Sequence, residues 1–158
     1  MRRHSTGYDI LFFAAIAATL ISLAPALAHL FELPRKMTLS RDAYFTVQQI
    51  YSGWALFGVS IFVQLITIAL LAFLSLGESC VFRPVVAALL LLIAAQVLFW
   101  HFTFPANTAT RNWTVMPADW QALRRQWEYS HLGGAVCQAA GFFCLIWALF
   151  ARIQAVGR

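Results

Sequence analysis

The chain has 158 residues, of which 61% are hydrophobic and only 11% charged, with a formal net charge of +5, and its mean hydropathy is +0.73. A soluble domain carries roughly a quarter charged residues, so at this one-domain length the composition excludes a disordered chain, a coiled coil and a conventional soluble enzyme. Nucleic acid is not an expected partner either, because the basic residues form nothing longer than the pairs Arg2–Arg3, Arg35–Lys36 and Arg124–Arg125, and pairs at the ends of apolar segments anchor helices among headgroups.

Charge-free runs define the elements. No Asp, Glu, Lys or Arg occurs between Asp9 and Glu32, Asp42 and Glu78, Arg83 and Arg111, or Glu128 and Arg152. Each run exceeds the roughly 20 residues that cross the hydrocarbon core. The pattern predicts helices over about residues 8–33, 40–76, 84–104 and 117–152 of one transmembrane domain. In the first, Arg2–Arg3 and the triplet Ala26-Leu27-Ala28 also fit a signal peptide with its cleavage site, but the apolar run is long for that and favours a retained helix. The second and fourth exceed one span, so their first turns should lie in the interface or project from it. The connections are a loop led by Pro34, a turn over residues 77–83 and a longer loop from Pro105 to Met116. Such short connections make neighbours antiparallel, which gives an all-α, integral membrane, up-down-up-down four-helix bundle in contact with the lipid bilayer. Orientation stays open under the positive-inside rule, with Arg2, Arg3, Arg83, Arg152 and Arg158 on one side and Arg35, Lys36, Arg41, Arg111, Arg124 and Arg125 on the other. Cys80, Cys137 and Cys144 form no CxxC and imply no disulfide framework.

In that topology the polar residues converge on one mouth. His29 and Glu32 close the first helix, Gln48, Gln49 and Tyr51 lie early in the second, His101 and Asn107 end the third, and Arg124, Glu128 and His131 open the fourth. Trp120, Arg124, Trp127 and His131 are spaced 4, 3 and 4, within about 60° of helical arc. Gln138 continues that stripe, and Ser22, Pro25, His29 and Glu32 form a similar one on the first helix. Ionisable groups inside spans cost about 2.5–3.5 kcal/mol each, so they face the bundle interior and mark function. Simpler roles stand beside this one. Trp113, Trp120 and Trp127 fit an interfacial aromatic belt, Arg124 and Glu128 a local i,i+4 pair, the glutamines interhelical hydrogen bonds, and Gly133, Cys137 and Gly141 a packing seam.

Three chemistries suit such a mouth. Glu128-x-x-His131, with His29-x-x-Glu32 in reverse order and His101 as a third imidazole, is a candidate ligand set for iron, manganese, copper or zinc. Without a metal, His131 or His101 is the candidate general base, tuned by Glu128 or Glu32, and Arg124 holds an anionic oxygen. Trp120, Trp127, Asn107, Tyr51 and Gln48 are then the candidate binding residues for a lipophilic quinone or phenol. The third alternative is a non-enzymatic accessory subunit whose polar mouth docks other membrane subunits.

The stretch Phe104-Pro105-Ala106-Asn107, followed by Trp120-Gln121-Ala122-Leu123-Arg124-Arg125-Gln126-Trp127-Glu128-Tyr129-Ser130-His131, resembles the anthrone oxygenase-like family of small four-span membrane proteins. The resemblance covers about a third of the chain closely and the rest in hydropathy and spacing. It places Asn107, Trp120, Arg124, Trp127, Glu128 and His131 at the family's motif positions. It implies a hydrophobic aromatic substrate, dioxygen and, through features of a bacterial subgroup such as His29-x-x-Glu32-Leu33-Pro34, a bacterial inner membrane. The chain departs from the pattern after the motif histidine, where Leu132-Gly133-Gly134 stands in place of an early basic residue.

Overall fold

The computed structural model describes residues 6–156, so Arg2, Arg3 and Arg158 lie outside the described residues. Helices α1 (Thr6–Lys36), α2 (Arg41–Gln48), α3 (Phe57–Leu74), α4 (Ser79–Leu98), α5 (Phe104–Ala109) and α6 (Trp120–Val156) follow one another with no strand among the described residues. Four stretches are long and apolar enough to cross a membrane: Thr6–Lys36, Trp54–Leu74, Ser79–Ala109 and Trp120–Ala155. Phe13, Phe31, Leu56, Phe62 and Phe143 stand exposed on their outer faces. That distribution suits a bundle whose surroundings are lipid tails, which are as apolar as the side chains they meet. The chain is a multi-pass integral membrane protein.

Polar ties set the antiparallel register. The Tyr8 hydroxyl, at the start of α1, meets Ser75 just after α3 at 2.6 Å. Arg152, near the end of α6, pairs with Asp9 and lies 4.5 Å from the Tyr8 ring centroid. Halfway along, Ser22 and Ser60 share a 2.8 Å hydrogen bond between α1 and α3. At the opposite mouth Thr103 and Ser130 do the same between the third span and α6, at 2.6 Å. Between these ties Phe12, Ala15, Ile68, Leu71, Val85, Leu92 and Leu145 form a dry core. The stripe of small residues on α6 is the packing seam expected of it: a Cβ at Gly141 would meet Leu92 Cγ at 3.2 Å and the Ala88 carbonyl oxygen at 3.5 Å.

The helix boundaries differ from the sequence expectation: α4 starts at Ser79 rather than 84 and α6 at Trp120 rather than 117, and three larger differences shape the mouth. The first helix does not stop before Pro34 but runs through it to Lys36. Proline removes one backbone donor, yet Met37 N still donates to the Leu33 carbonyl at 3.0 Å. The second expected helix, 40–76, is divided. Ser40 caps α2 by accepting from Ala43 N at 3.4 Å, and two 3-10 turns, Gln49–Tyr51 and Trp54–Leu56, flank Gly53 at φ 87°. That left-handed backbone, natural to glycine, ends the interfacial segment and starts the span. The third helix is longer than expected, continuing past Pro105 by way of a π-helical turn, Phe99–Thr103. The loop that remains holds Arg111, Asn112 and Trp113 at φ 47°, 54° and 63°. Left-handed backbone costs a residue other than glycine about 1–2 kcal/mol, and here it delivers the Trp113 ring into the bundle mouth.

Candidate functional site

The last turns of α1 carry His29, Glu32 and Lys36 on one face, by the i, i+3, i+7 spacing of a helix. They meet Trp127, Glu128 and His131 from the first turns of α6, and Tyr44, Gln48 and Tyr51 from α2 and the turn after it. The Lys36 ammonium stands 3.1 Å from Glu128 Oε1 and 3.7 Å from Glu32 Oε2. Lys36 is 3% exposed and Glu128 0%. Tyr44 donates its hydroxyl to the same Glu128 Oε1 at 2.9 Å, and Gln48 Nε2 donates to the Tyr44 oxygen at 2.5 Å. Tyr51 donates to Glu32. The ammonium also lies over two rings, 4.7 Å from the centroid of Trp127 and 5.0 Å from that of Tyr51.

A buried ion pair repays its desolvation only when the geometry is good and further partners are present. Here the Tyr44 hydrogen bond and the two ring faces supply them. Burial, then the negative charge of Glu128 and the hydrogen bond to it, push the Tyr44 hydroxyl well above the usual phenol range. Burial and the hydrogen bond to Glu32 do the same for Tyr51. Both phenols therefore stay neutral donors at physiological pH.

Next to the ion pair the His29 and His131 rings stack, with centroids 4.1 Å apart and planes at 33°. Trp127, Tyr51 and Trp54 surround His29 at 5.0, 4.5 and 5.3 Å. Besides the ion-paired Lys36 Nζ, three atoms of the cluster are buried without a hydrogen-bond partner: Glu128 Oε2, Gln48 Oε1 and His29 Nδ1. The side chains that bear them are 0%, 3% and 6% exposed. Buried polar atoms in folded proteins are nearly always satisfied, by protein, water or ligand, and these atoms have no partner within the protein.

A supporting layer holds the rings in place. Asn107 Oδ1 accepts from the indoles of both Trp127, at 2.8 Å, and Trp113, at 3.2 Å. Trp113 and Trp127 are 3% and 4% exposed, so they are core rings rather than members of an interfacial belt. Arg124 donates to the Leu39 carbonyl at 3.1 Å and lies over Trp120 and Tyr44, 4.8 and 5.4 Å from their centroids. It fastens the α1–α2 connection to α6. Trp120 is half-buried against Tyr44 and Phe45, with centroids at 6.4 and 6.2 Å.

The structure thus brings together His29, Glu32, Gln48, Tyr51, Trp127, Glu128 and His131. It sets Asn107, Trp120 and Arg124 one layer back and leaves His101 out. His101 is exposed, its ring 5.9 Å from that of Phe102, because it lies nine residues beyond Leu92, about half a turn around the helix from the buried stripe Val81, Val85, Ala88, Leu92 and Ala95. The candidate metal set of His29, Glu32, His101, Glu128 and His131 is not assembled. Among the described residues no group of three or more His, Cys, Asp or Glu side chains is placed to hold a metal ion. The physical reason is Lys36, whose ammonium occupies the position between the two carboxylates that a cation would need. Lys36, Tyr44 and Trp54 were not singled out by sequence. Lys36 was legible, since it extends the Ser22, Pro25, His29, Glu32 stripe by four residues, but ending the helix at Pro34 turned it into a headgroup anchor.

Fold and site together define a four-span membrane bundle with a largely buried, partly unsatisfied ion-pair cluster at one mouth. Compared with known proteins, the chain matches no family model, no curated sequence and no solved structure.

Proposed function

We propose that the chain is an oxidoreductase of a bacterial inner membrane, akin to the anthrone oxygenase-like proteins it resembles, acting on a lipophilic aromatic compound that bears a hydroxyl. One observation carries this reading: the fully buried Glu128 has one oxygen neutralised by Lys36 and Tyr44 and the other without a partner. An unpartnered carboxylate oxygen calls for a donor, and a phenol or enol hydroxyl is the donor that a lipophilic aromatic molecule supplies. Trp127, Tyr51, Trp54 and His29 provide ring faces for it. In this reading Glu128 Oε2 takes the hydroxyl proton and the Lys36 ammonium stabilises the aromatic oxyanion that results. The electron-rich anion is the form that gives electrons to dioxygen, the oxidant the resemblance implies. No step is assigned to a metal, because the residues present do not fit one.

Oxygen uptake with anthrone in lipid nanodiscs tests this. Glu128→Gln should lower the rate by about a hundredfold or more, the usual worth of a positioned base. Equal rates in folded wild-type and variant protein would contradict it. Binding that does not change while the variant fails to assemble with other membrane proteins would support the accessory-subunit alternative.

A further inference from the structure

An apolar groove of about 620 Å³ runs along the lipid-facing side of the bundle between α1 and the second span. Ligand pockets are commonly about 300–1,000 Å³. The α1 side of the groove is three small residues, Ala14, Ala17 and Ala18, with Ile21, and on the side of the second span Gly53 has nothing within 4 Å of where a Cβ would be. The Ser22–Ser60 hydrogen bond holds α1 and α3 beside it.

Its upper end is Trp54. The same indole that lines the groove lies 5.3 Å from the His29 ring and 4.9 Å from the Tyr51 ring. One half-buried side chain, on a short 3-10 turn directly after the left-handed Gly53, therefore stands between the groove and the His29 and Tyr51 rings at the edge of the cluster. A bare aromatic ring would use only the polar end. From Ala14 to His29 is fifteen residues of helix, about 22 Å at 1.5 Å per residue, which is the length of a long hydrocarbon chain rather than of a fused ring system.

We propose that the groove takes the hydrocarbon tail of an amphiphilic ligand, a tailed phenol or quinol, whose hydroxylated ring passes Trp54 to reach Glu128, Gln48 and His29. The proposal rests on the reading of the mouth as a hydroxyl-binding site. Bulk lipid is as apolar as the groove, so the tail gains little affinity there. The groove instead gives the tail a path out of the mouth, and filling it excludes a tailed ligand by steric clash alone.

The test uses full-length protein in phosphatidylcholine nanodiscs and a decyl-tailed hydroquinone carrying a diazirine in mid-tail. Photolabel should fall on the segments 14–21 and 53–63, and excess unlabelled decyl-hydroquinone should compete it away. Ala17→Phe should cut labelling at least fivefold while leaving tail-less methylhydroquinone, followed by quenching of tryptophan fluorescence, bound as in wild type. Glu128→Gln should weaken both probes. Competed label that lies elsewhere, or label unaffected by Ala17→Phe, overturns the groove while leaving the mouth intact. Label in the groove that decyl-hydroquinone does not compete means ordinary lipid fills it, which also overturns the proposal. Methylhydroquinone binding that Glu128→Gln does not change is the separate result that overturns the reading of the mouth.

Discussion

Lys36 changes what the carboxylates at the bundle mouth can do. Two carboxylates and two histidines, with His101, read from sequence alone as a candidate metal set; with an ammonium 3.1 Å from one carboxylate and 3.7 Å from the other they become an ion-pair cluster in which Glu128 Oε2 has no partner. Removing one partner of a buried pair leaves an uncompensated charge and costs about 3–5 kcal/mol. Lys36→Met should therefore lower the thermal unfolding temperature in detergent sharply, and Lys36→Met combined with Glu128→Leu should recover most of the loss. A single variant as stable as wild type would mean the pair is not buried as described. The tyrosines add a pH dependence. Tyr44 and Tyr51 are held above their ordinary value of 10.0, so the stability they contribute is complete below that pH. It declines at higher pH, where the unfolded chain ionises these phenols and the folded chain does not. Absorbance of tyrosinate should show the two ionising only as the protein unfolds, and Tyr44→Phe with Tyr51→Phe should flatten the alkaline loss of stability.

Among the elements, the segment from the π turn to the start of α6 does the positioning. Asn107, at the end of the third span, holds the indoles of Trp113 and Trp127 through one oxygen, and Trp127 is the ring against both histidines and the ammonium. Asn107→Leu keeps the volume but leaves two buried N–H groups without acceptors, at about 1–3 kcal/mol each. It should destabilise the protein and weaken binding of a hydroxylated aromatic, and wild-type behaviour in both would show that Asn107 positions nothing. Across the bundle, Gly141→Leu should force α4 and α6 apart where Leu92 now packs, with the 1–3 kcal/mol loss typical of overpacking. Helix unfolding followed by circular dichroism would detect it.

At the scale of the molecule, the four spans and their antiparallel order were legible because lipid imposes a coarse rule: a charge-free run must be long, and its backbone must be helical. The convergence of His29, Glu32, Glu128 and His131 was legible for the same reason, since topology alone carries those residues to one mouth. What escaped depended on local backbone choices that hydropathy does not report. Pro34 reads as a stop although the helix continues to Lys36, and Gly53 lies inside an apolar run that reads as continuous helix; the outward phase of His101, by contrast, was legible, since it stands half a turn from the buried stripe ending at Leu92 and Ala95. Tyr44 went unnoticed because a tyrosine in a short amphipathic helix carries no spacing signal of its own.

The central claim is that the mouth recognises a hydroxyl group through the free oxygen of Glu128, and a pair of ligands differing only in that group tests it most directly. Binding of 1-naphthol and of naphthalene to the protein in nanodiscs should be compared by quenching of tryptophan fluorescence, in wild type and in Glu128→Gln. A site built to hydrogen-bond a hydroxyl discriminates strongly against the analogue that lacks it. The account predicts at least a tenfold preference for 1-naphthol that largely disappears in Glu128→Gln. Equal affinity for both ligands in wild type, or a preference that survives the substitution, would contradict it.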